Sequence, residues 1–184
     1  LSNNTILKKL NLSRSFMSRI NITENILLEE LDLSHNNFTD IELSKNILLK
    51  NINLSYNKIE GINLKQNTIL EKLDLSRNEL CKININGNTY LKKLIFFGHI
   101  IEELDLSKNL FLEELYLTSY ELHNVDLSKN RVLKKLKLSY NNGISDVYLA
   151  SKPFLEELQM NELQIVTVNI HNNTYLRVVG LSDN

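Results

Sequence analysis

The sequence predicts a repeat solenoid that is mostly β-structure, with little or no helix. Three observations lead to this fold class. A repeat of 21 residues runs through nearly the whole chain, and each repeat holds two short segments in which apolar and polar residues alternate. An asparagine follows most of these segments, at the points where the chain must turn.

A leucine opens each unit of the repeat. Successive opening leucines are 21 residues apart, except for one step of 22 residues between Leu133 and Leu155. The most regular unit, residues 28–48, reads LEELDLSHNNFTDIELSKNIL, and positions are numbered from its first leucine. Residues 1–184 are therefore expected to form a single array. Its units begin at Leu7, Leu28, Leu49, Leu70, Leu91, Leu112, Leu133, Leu155 and Leu176.

The two alternating segments of each unit indicate extended structure. In the second unit the apolar residues are Leu31 and Leu33, and then Ile41 and Leu43. Alternation with a period of two is typical of β-strands, and no window of about ten residues keeps the period of a helix. We therefore expect strands at both segments. Side chains at positions 4 and 6 should be buried, and those at positions 3 and 5 should face solvent.

Two columns of asparagine, at positions 9 and 19, are expected to hold the turns. A buried asparagine can bond the backbone of its own turn and of the next, so stacked asparagines form ladders along a solenoid. Position 9 holds Asn36, Asn57, Asn78 and Asn141, and position 19 holds Asn25, Asn46, Asn67, Asn88, Asn109, Asn130 and Asn173. The exceptions are Ser15, His99, Tyr120 and Leu163 at position 9, and Lys152-Pro153 at position 19 of the seventh unit. We expect the ladders to be interrupted at those turns.

The recurring pattern LxxLxLxxN, followed by an apolar residue, resembles the signature of leucine-rich repeats, and it covers essentially all 184 residues. The second half of the unit, such as FTDIELSKN after LEELDLSHN, is similar to the short bacterial class of about 21 residues called IRREKO. This resemblance implies a right-handed solenoid with a parallel sheet on one face, used as a binding scaffold. Because short extended segments occupy the opposite side, we expect slight curvature.

Both ends of the chain lie inside a repeat. Residues 1–6 match positions 16–21 of a preceding unit, and residues 181–184 match positions 6–9 of an unfinished one. Terminal repeats of a solenoid need polar caps, and neither end has one. We therefore expect the chain to be a fragment of a longer array.

Position 2 carries a charge whose sign alternates from unit to unit. In a parallel stack each cation then lies about 5 Å from an anion above and below it. A slip by one unit would bring like charges together, so the column is expected to fix the register of the stack. The residues are Lys8, Glu29, Lys50, Glu71, Lys92, Glu113, Lys134, Glu156 and Arg177.

Composition and motifs give no sign of catalytic, cofactor or metal chemistry. The net charge is −1, there is one cysteine, and no run of 18 apolar residues occurs. We therefore expect no nucleic-acid partner, no thiolate zinc site and no membrane insertion. The four histidines fall at unrelated repeat positions, which argues against a metal site. No phosphate-binding loop, nucleophile elbow or pair of catalytic carboxylates is present, so the chain is not expected to be an enzyme.

Apolar residues that depart from the polar pattern of the sheet face gather in the fifth and sixth units. Adjacent turns would join them into one exposed patch, and such patches often mark interfaces. The alternative is local repacking, in which Phe97 and Ile100 turn inward because Gly98 and His99 distort the bend, or cover by a flanking domain. The candidate partner-binding residues are Ile95, Phe97, Ile100, Tyr116 and Tyr120.

The sequence favours a protein–protein interaction scaffold, the binding module of a larger bacterial surface or secreted protein such as an effector. Its partner would be another protein. Two alternatives stay open: a carbohydrate-binding or cell-surface adhesin module, and a sensor array attached to a catalytic domain outside this segment. The resemblance favours an extracellular or bacterial cell-surface location, and a single cysteine is also compatible with the cytoplasm.

Overall fold

The computed structural model describes residues 1–119, 122–141, 143–145, 147–150, 152–165 and 167–184. Within these residues the chain forms nine β-strands and no helix. Most strands have three residues, whereas the fifth has seven and the sixth has six. The strands are β1 (Lys9–Asn11), β2 (Glu30–Asp32), β3 (Asn51–Asn53), β4 (Lys72–Asp74), β5 (Lys93–His99), β6 (Glu114–Ser119), β7 (Lys135–Lys137), β8 (Glu157–Gln159) and β9 (Val178–Gly180).

All nine strands belong to one parallel sheet whose spatial order is the order of the chain. Each strand begins at position 3 of its unit and pairs with the same positions of the next unit. Leu31 of β2 is paired with Ile52 of β3, which is paired in turn with Leu73 of β4. One unit therefore makes one turn of a solenoid, as the repeat predicts.

Leucine columns fill the interior of the solenoid. Side chains at positions 4 and 6 are buried from the second unit to the eighth, for example Leu31 and Leu33, whereas Val179 and Leu181 of the last unit are exposed. The strand residues on either side, Glu30 and Asp32, are only half-buried on the outer face. Because each core position stacks on the same position of the neighbouring turns, the core is continuous along the array. This confirms the orientation predicted from the alternating pattern.

The second alternating segment of each unit is buried but does not form a strand in the described residues, so that prediction was wrong. Its apolar side chains, such as Leu43 and Leu64, lie in the core. On this side of the solenoid, neighbouring turns share isolated backbone hydrogen bonds, for example from Lys58 N to the Phe38 carbonyl. Alternation reports which side chains are buried, and burial does not by itself require a ladder of backbone bonds.

The ladder at position 19 is formed as predicted. Asn46 Nδ2 donates to the carbonyls of Ile22 and Asn25, at 2.9 and 3.0 Å. These acceptors lie 24 and 21 residues earlier, so each amide group ties its own bend to the preceding one. The same pair of bonds recurs at Asn25, Asn67, Asn88, Asn109, Asn130 and Asn173.

The ladder at position 9 uses both ends of the amide. Asn57 Nδ2 donates to the carbonyls of Leu33 and Leu54, while its Oδ1 accepts from Phe38 N at 3.0 Å. One side chain therefore satisfies backbone groups of two turns that would otherwise be buried without partners. Asn36 and Asn78 bond in the same way.

The exceptions interrupt the ladders less than the sequence suggests. His99 is buried, and its Nε2–H donates to the Leu75 carbonyl at 2.9 Å, which is the bond that an asparagine makes to the residue 24 earlier. At Lys152 the backbone turn is kept, with Lys152 N donating to the Leu149 carbonyl. Leu163 is buried and carries no amide. Tyr120 lies outside the described residues.

Ion pairs form along the charge column at position 2. Three glutamates pair with the lysine of the following unit, and Glu29 also lies 3.7 Å from Lys8 of the preceding unit. The hydrogen bond from Lys50 and its positive charge lower the pKa of Glu29. The pairs are Glu29–Lys50, Glu71–Lys92 and Glu113–Lys134, at 2.7–2.8 Å.

We predict that Leu75→Ala lowers the free energy of unfolding by about 2–5 kcal/mol, because it leaves a cavity in the continuous core. Urea unfolding followed by circular dichroism measures the change. Ile100→Ala is the control, since Ile100 is 58% exposed and its truncation should cost less than about 1 kcal/mol. A loss below about 1 kcal/mol for Leu75→Ala would contradict the burial.

Candidate binding face

The open face of the sheet is formed by side chains at positions 3, 5 and 7. In the first four units position 5 is Asn or Asp, and its side-chain oxygen accepts a hydrogen bond from the backbone of the serine at position 7. Asp74 Oδ1, for example, accepts from Ser76 N at 2.9 Å and from Ser76 Oγ at 2.6 Å. These side-chain turns follow directly on β1–β4, each of which ends at position 5.

These first units form a shallow polar groove. Its volume is about 570 Å³, and side chains at positions 3 and 5 of β1–β4 line it together with Lys93 and Ile95. Charges of both signs alternate across it, for example Lys72 beside Asp74. Because the position 5 oxygens already accept hydrogen bonds from their own turns, they offer only their remaining acceptor capacity to a ligand.

The face changes character at β5 and β6. Here Ile95 and Phe97 replace the Asn or Asp and the serine, and Tyr116 and Thr118 do so in the next unit. In these two units the strands continue past position 5, and the pairing extends from Ile95 opposite Tyr116 to Phe97 opposite Thr118. A β-bulge between Phe97 and His99 follows. The longest strand pair therefore coincides with an apolar surface.

Phe97 lies on the open face and not in the core. The neighbouring Phe96 is fully buried, and its ring stacks on His99 with centroids 4.0 Å apart. Phe97 therefore points to the opposite side of the strand, where it is half-buried. This excludes the alternative in which Phe97 turns inward at the distorted bend.

Three of the five candidate residues share one depression. Ile95, Phe97 and Tyr116 line a groove of about 480 Å³ that continues over β7 and β8. We call it the aromatic groove; its other lining residues are Leu117, Thr118, Lys137, Ser139, Tyr140, Gln159 and Asn161. Ile100 is exposed beyond the bulge and does not line this groove. Tyr120 lies outside the described residues.

Tyr116 is held in place by charged neighbours. The ammonium groups of Lys93 and Lys137 lie 5.1 and 5.3 Å from its ring centroid, within the range of cation–π attraction. Its hydroxyl donates to Glu114 Oε2 at 3.0 Å. Burial, followed by the hydrogen bond to Glu114, raises the pKa of Tyr116, so the phenol stays neutral. The lysines are ion-paired in turn with Glu114 and Glu157, at 2.8 Å.

A second row of side chains follows the edge at which the strands end. Position 8 has a positive φ in every unit but the sixth, with φ of 55° at His35, Tyr56 and Arg77. This left-handed conformation is uncommon for such residues, and here the asparagine ladder at the next position stabilises it. The rings of His35 and Tyr56 stack with centroids 4.2 Å apart, and the Arg77 guanidinium lies 5.9 Å from the Phe97 ring.

The edge row connects with the aromatic groove through a glycine. Gly98 has a φ of +78°, and a Cβ there would lie 3.0 Å from Arg77 Cδ. Because Gly98 has no side chain, the Arg77 side chain can extend past it to the Phe97 ring. The candidate residues chosen from the sequence did not include His35, Tyr56 or Arg77. The signal for them is a large residue directly before the ladder asparagine, where the chain turns.

The described residues contain no cluster of three or more His, Cys, Asp or Glu side chains suited to a metal ion. Cys81 is an exposed free thiol. Over the same residues, no helix has the length and apolar character needed to cross a membrane.

The repeats, the parallel sheet and the asparagine ladders together define a leucine-rich-repeat solenoid with units of about 21 residues. A family profile described as leucine-rich repeat matches residues 24–41 and 129–147. Comparison with curated protein sequences gives no significant match.

Solved structures of similar fold come from bacteria and a plant. The functional domain of InlJ from Listeria monocytogenes is 21% identical, with a TM-score of 0.80 over 99% of this chain and 45% of that one. An internalin C2 from the same species is 24% identical, with a TM-score of 0.89 over 98% of this chain and 83% of that one.

The third structure is the ectodomain of the Arabidopsis thaliana membrane receptor kinase GASSHO1/SCHENGEN3, in complex with CASPARIAN STRIP INTEGRITY FACTOR 2. It is 23% identical, with a TM-score of 0.67, and the match covers 99% of this chain and 28% of that one. This chain thus spans less than half the length of the InlJ domain and of the receptor ectodomain. At these identities the likeness establishes the fold.

We predict that His99→Asn makes the stability of the protein less sensitive to acid. Burial lowers the pKa of His99, so below its ordinary value of about 6.5 the unfolded chain binds a proton that the folded chain does not. The stability associated with neutral His99 is therefore present above that pH and is lost as the pH falls. Asparagine at this position can make the same bond to Leu75 without titrating.

Urea unfolding at neutral pH and at mildly acidic pH measures this difference. The unaltered chain should lose more stability between the two conditions than His99→Asn does. Equal losses in the two proteins would contradict the burial of a neutral imidazole.

Proposed function

We propose that this chain is a protein-binding module whose partner contacts the open face of the sheet, centred on the aromatic groove. One observation carries the proposal. Ile95, Phe97 and Tyr116 stand half-buried on that face, where the first four units carry Asn or Asp and serine. Their placement does not serve the core, because Leu94, Phe96 and Leu115 fill the inward positions of the same strands.

The groove has the features of an interface centre. Aromatic and arginine side chains dominate the energy of protein interfaces, particularly where they are rigid before binding. Tyr116 is held between Lys93 and Lys137, and the charges around it are already paired, so a partner would meet an ordered surface with little net charge. Polar side chains of β7 and β8, such as Gln159 and Asn161, would form a hydrogen-bonding rim.

The edge row extends this surface toward the first units. Tyr56, stacked on His35, is 44% exposed, and Arg77 continues from it to Phe97. From the third unit to the eighth, five steps of about 4.8 Å give a strip about 24 Å long. This length suits a folded protein surface or an extended peptide lying across the strands.

The comparisons support the same class of function. The plant receptor ectodomain of this fold was solved in complex with another factor, and the two Listeria proteins are bacterial. By analogy, this chain would be the binding part of a larger bacterial surface or secreted protein, with no catalytic role of its own. The fold alone does not fix a function, so the side chains of the groove carry the proposal.

Carbohydrate binding is the second candidate. The polar groove over β1–β4 offers carboxylate, amide and ammonium groups, with Tyr56 and His35 in the same units. Protein binding is favoured because the position 5 oxygens in that groove already accept hydrogen bonds from their own turns.

We predict that Phe97→Ser combined with Tyr116→Ser weakens partner binding at least about tenfold, because it removes two central aromatic contacts. The midpoint of thermal unfolding should stay within a few degrees, since neither ring fills the core. A phage-displayed peptide library selected on the unaltered chain supplies the binders, and titration calorimetry compares them on both proteins. A glycan array tests the carbohydrate alternative in parallel.

Phe16→Ser combined with Tyr148→Ser is the matched control. It removes one phenylalanine and one tyrosine that are 87% and 70% exposed and that do not line the groove. This control should bind the selected peptides normally. If the groove variant unfolds, or if it binds as well as the control, the aromatic groove is not the binding site.

A further inference from the structure

A row of exposed apolar side chains runs along the other edge of the sheet, where the strands begin. Position 21, directly before each opening leucine, is apolar in all nine cases. We call this row the apolar ridge. Its most exposed members are 36–81% accessible: Ile6, Leu27, Leu48, Tyr90, Phe111, Phe154 and Tyr175.

The ridge is not explained by the needs of the core. The opening leucines beside it, such as Leu28 and Leu91, are completely buried, so the interior is closed without the ridge. Tyr90 and Phe111 stack on each other with centroids 6.0 Å apart, but remain more than half exposed. Eight steps of about 4.8 Å give an apolar strip about 38 Å long. Continuous apolar surface on this scale is typical of an interface.

We propose that the apolar ridge binds a second copy of this chain, with the two solenoids antiparallel along their ridges. The charge column at position 2 lies two residues after the ridge in every unit, and its charge pattern favours a second copy of the chain as the partner. Its sign alternates from Lys8 to Arg177 without a break. A symmetric dimer brings the same surface of each copy together, so the column must complement itself.

Self-complementarity depends on where the two-fold axis passes. If the axis lies between the fourth and fifth units, facing units always differ by an odd number, and every facing pair has opposite charge. The facing pairs are then Glu71 with Lys92, Lys50 with Glu113, Glu29 with Lys134, and Lys8 with Glu156. A parallel arrangement, or an axis through one unit, would place like charges together. The alternation therefore favours the antiparallel orientation with an axis that passes between two units, and we place it between the fourth and the fifth, where the aliphatic half of each ridge faces aromatic members of the other.

The charged side chains are available for such contacts. They are ion-paired within their own column but remain 32–67% exposed, so they can form a second contact across an interface. The ridge is complementary in the same arrangement. Its first half is aliphatic and its second half is mostly aromatic, so Leu48 of one copy would face Phe111 of the other.

The size of the surface suits a weak, concentration-dependent dimer. Eight units of each copy face one another in this register, so a strip about 34 Å long and about 13 Å wide, from position 20 to position 2, would bury about 440 Å² per copy. The ridge and the aromatic groove lie at opposite edges of the strands. The dimer would therefore leave both grooves open, and this proposal does not depend on the proposed function.

Sedimentation equilibrium of the chain over a range of concentrations tests for the dimer. Leu48→Ser combined with Phe111→Ser should weaken it at least about tenfold, because both side chains would be buried between the copies. Both are exposed in the single chain, so the thermal midpoint at low concentration should be retained. A chain that stays monomeric at all concentrations, or a dimer that tolerates this variant, overturns the proposal.

Charge exchange tests the register. Lys50→Glu alone and Glu113→Lys alone each place like charges at two facing positions of the dimer, and each should dissociate about tenfold more readily. In an equimolar mixture the two variants form a mixed dimer in which every facing pair is again opposite. Native mass spectrometry should show that the mixed dimer predominates over both single-variant dimers.

The mixture separates contacts between copies from contacts within one copy. Like-charge neighbours inside each column are identical in the single-variant and mixed dimers, so only contacts between copies can favour mixing. Lys58→Glu makes the same charge change at an exposed residue outside the column and should dimerise normally. Statistical mixing of Lys50→Glu with Glu113→Lys, without preference for the mixed dimer, overturns the antiparallel register.

Discussion

The bends of this solenoid depend on side-chain amides that replace backbone partners. On the sheet side each strand finds its hydrogen bonds in the neighbouring strands. At the bends, the carbonyls turn inward, and the donors that reach them are the Nδ2 groups at positions 9 and 19 of the following turn, as Asn57 reaches Leu33 and Asn46 reaches Ile22. Buried backbone groups without partners would cost too much for such short turns to stack. Small units of about 21 residues are therefore possible without helices.

The same constraint explains where the molecule can vary. Columns that hold the turn or fill the core repeat with little change, whereas the outer positions of the sheet are free to differ between units. In the first four units those positions form side-chain turns, as Asp74 does with Ser76. At β5 and β6 these turns are replaced by Ile95, Phe97 and Tyr116, and His99 keeps the bend closed with a ring nitrogen. The apolar surface thus lies where the residues at the outer positions change while the strands stay paired.

Most of the fold was predictable because one pattern recurs nine times. The burial of Leu31 and Leu33 and the hydrogen bonds of Asn46 depend only on the geometry of one turn and its neighbours. The second alternating segment was misassigned because alternation measures burial and not hydrogen bonding. The role of His99 could not be read from sequence, since it depends on the reach of Nε2 to Leu75. The bulge between Phe97 and His99 could not be read from sequence either, and Ile100, which follows it, does not line the groove. The apolar ridge was not predicted because its members, from Ile6 to Tyr175, differ in type and share only apolar character.

The most direct test of the ladder compares one chemical change at two asparagines four residues apart. Asn67 uses its Nδ2 as a donor to Leu43 and Asn46, whereas exposed Asn63 uses its Oδ1 as an acceptor from Lys65 N. Urea unfolding at neutral pH should show that Asn67→Asp loses at least about 3 kcal/mol, because a buried carboxylate would face two carbonyls. Asn63→Asp should stay within about 0.5 kcal/mol. Equal and small losses for both variants would contradict the claim that asparagine donors hold the turns.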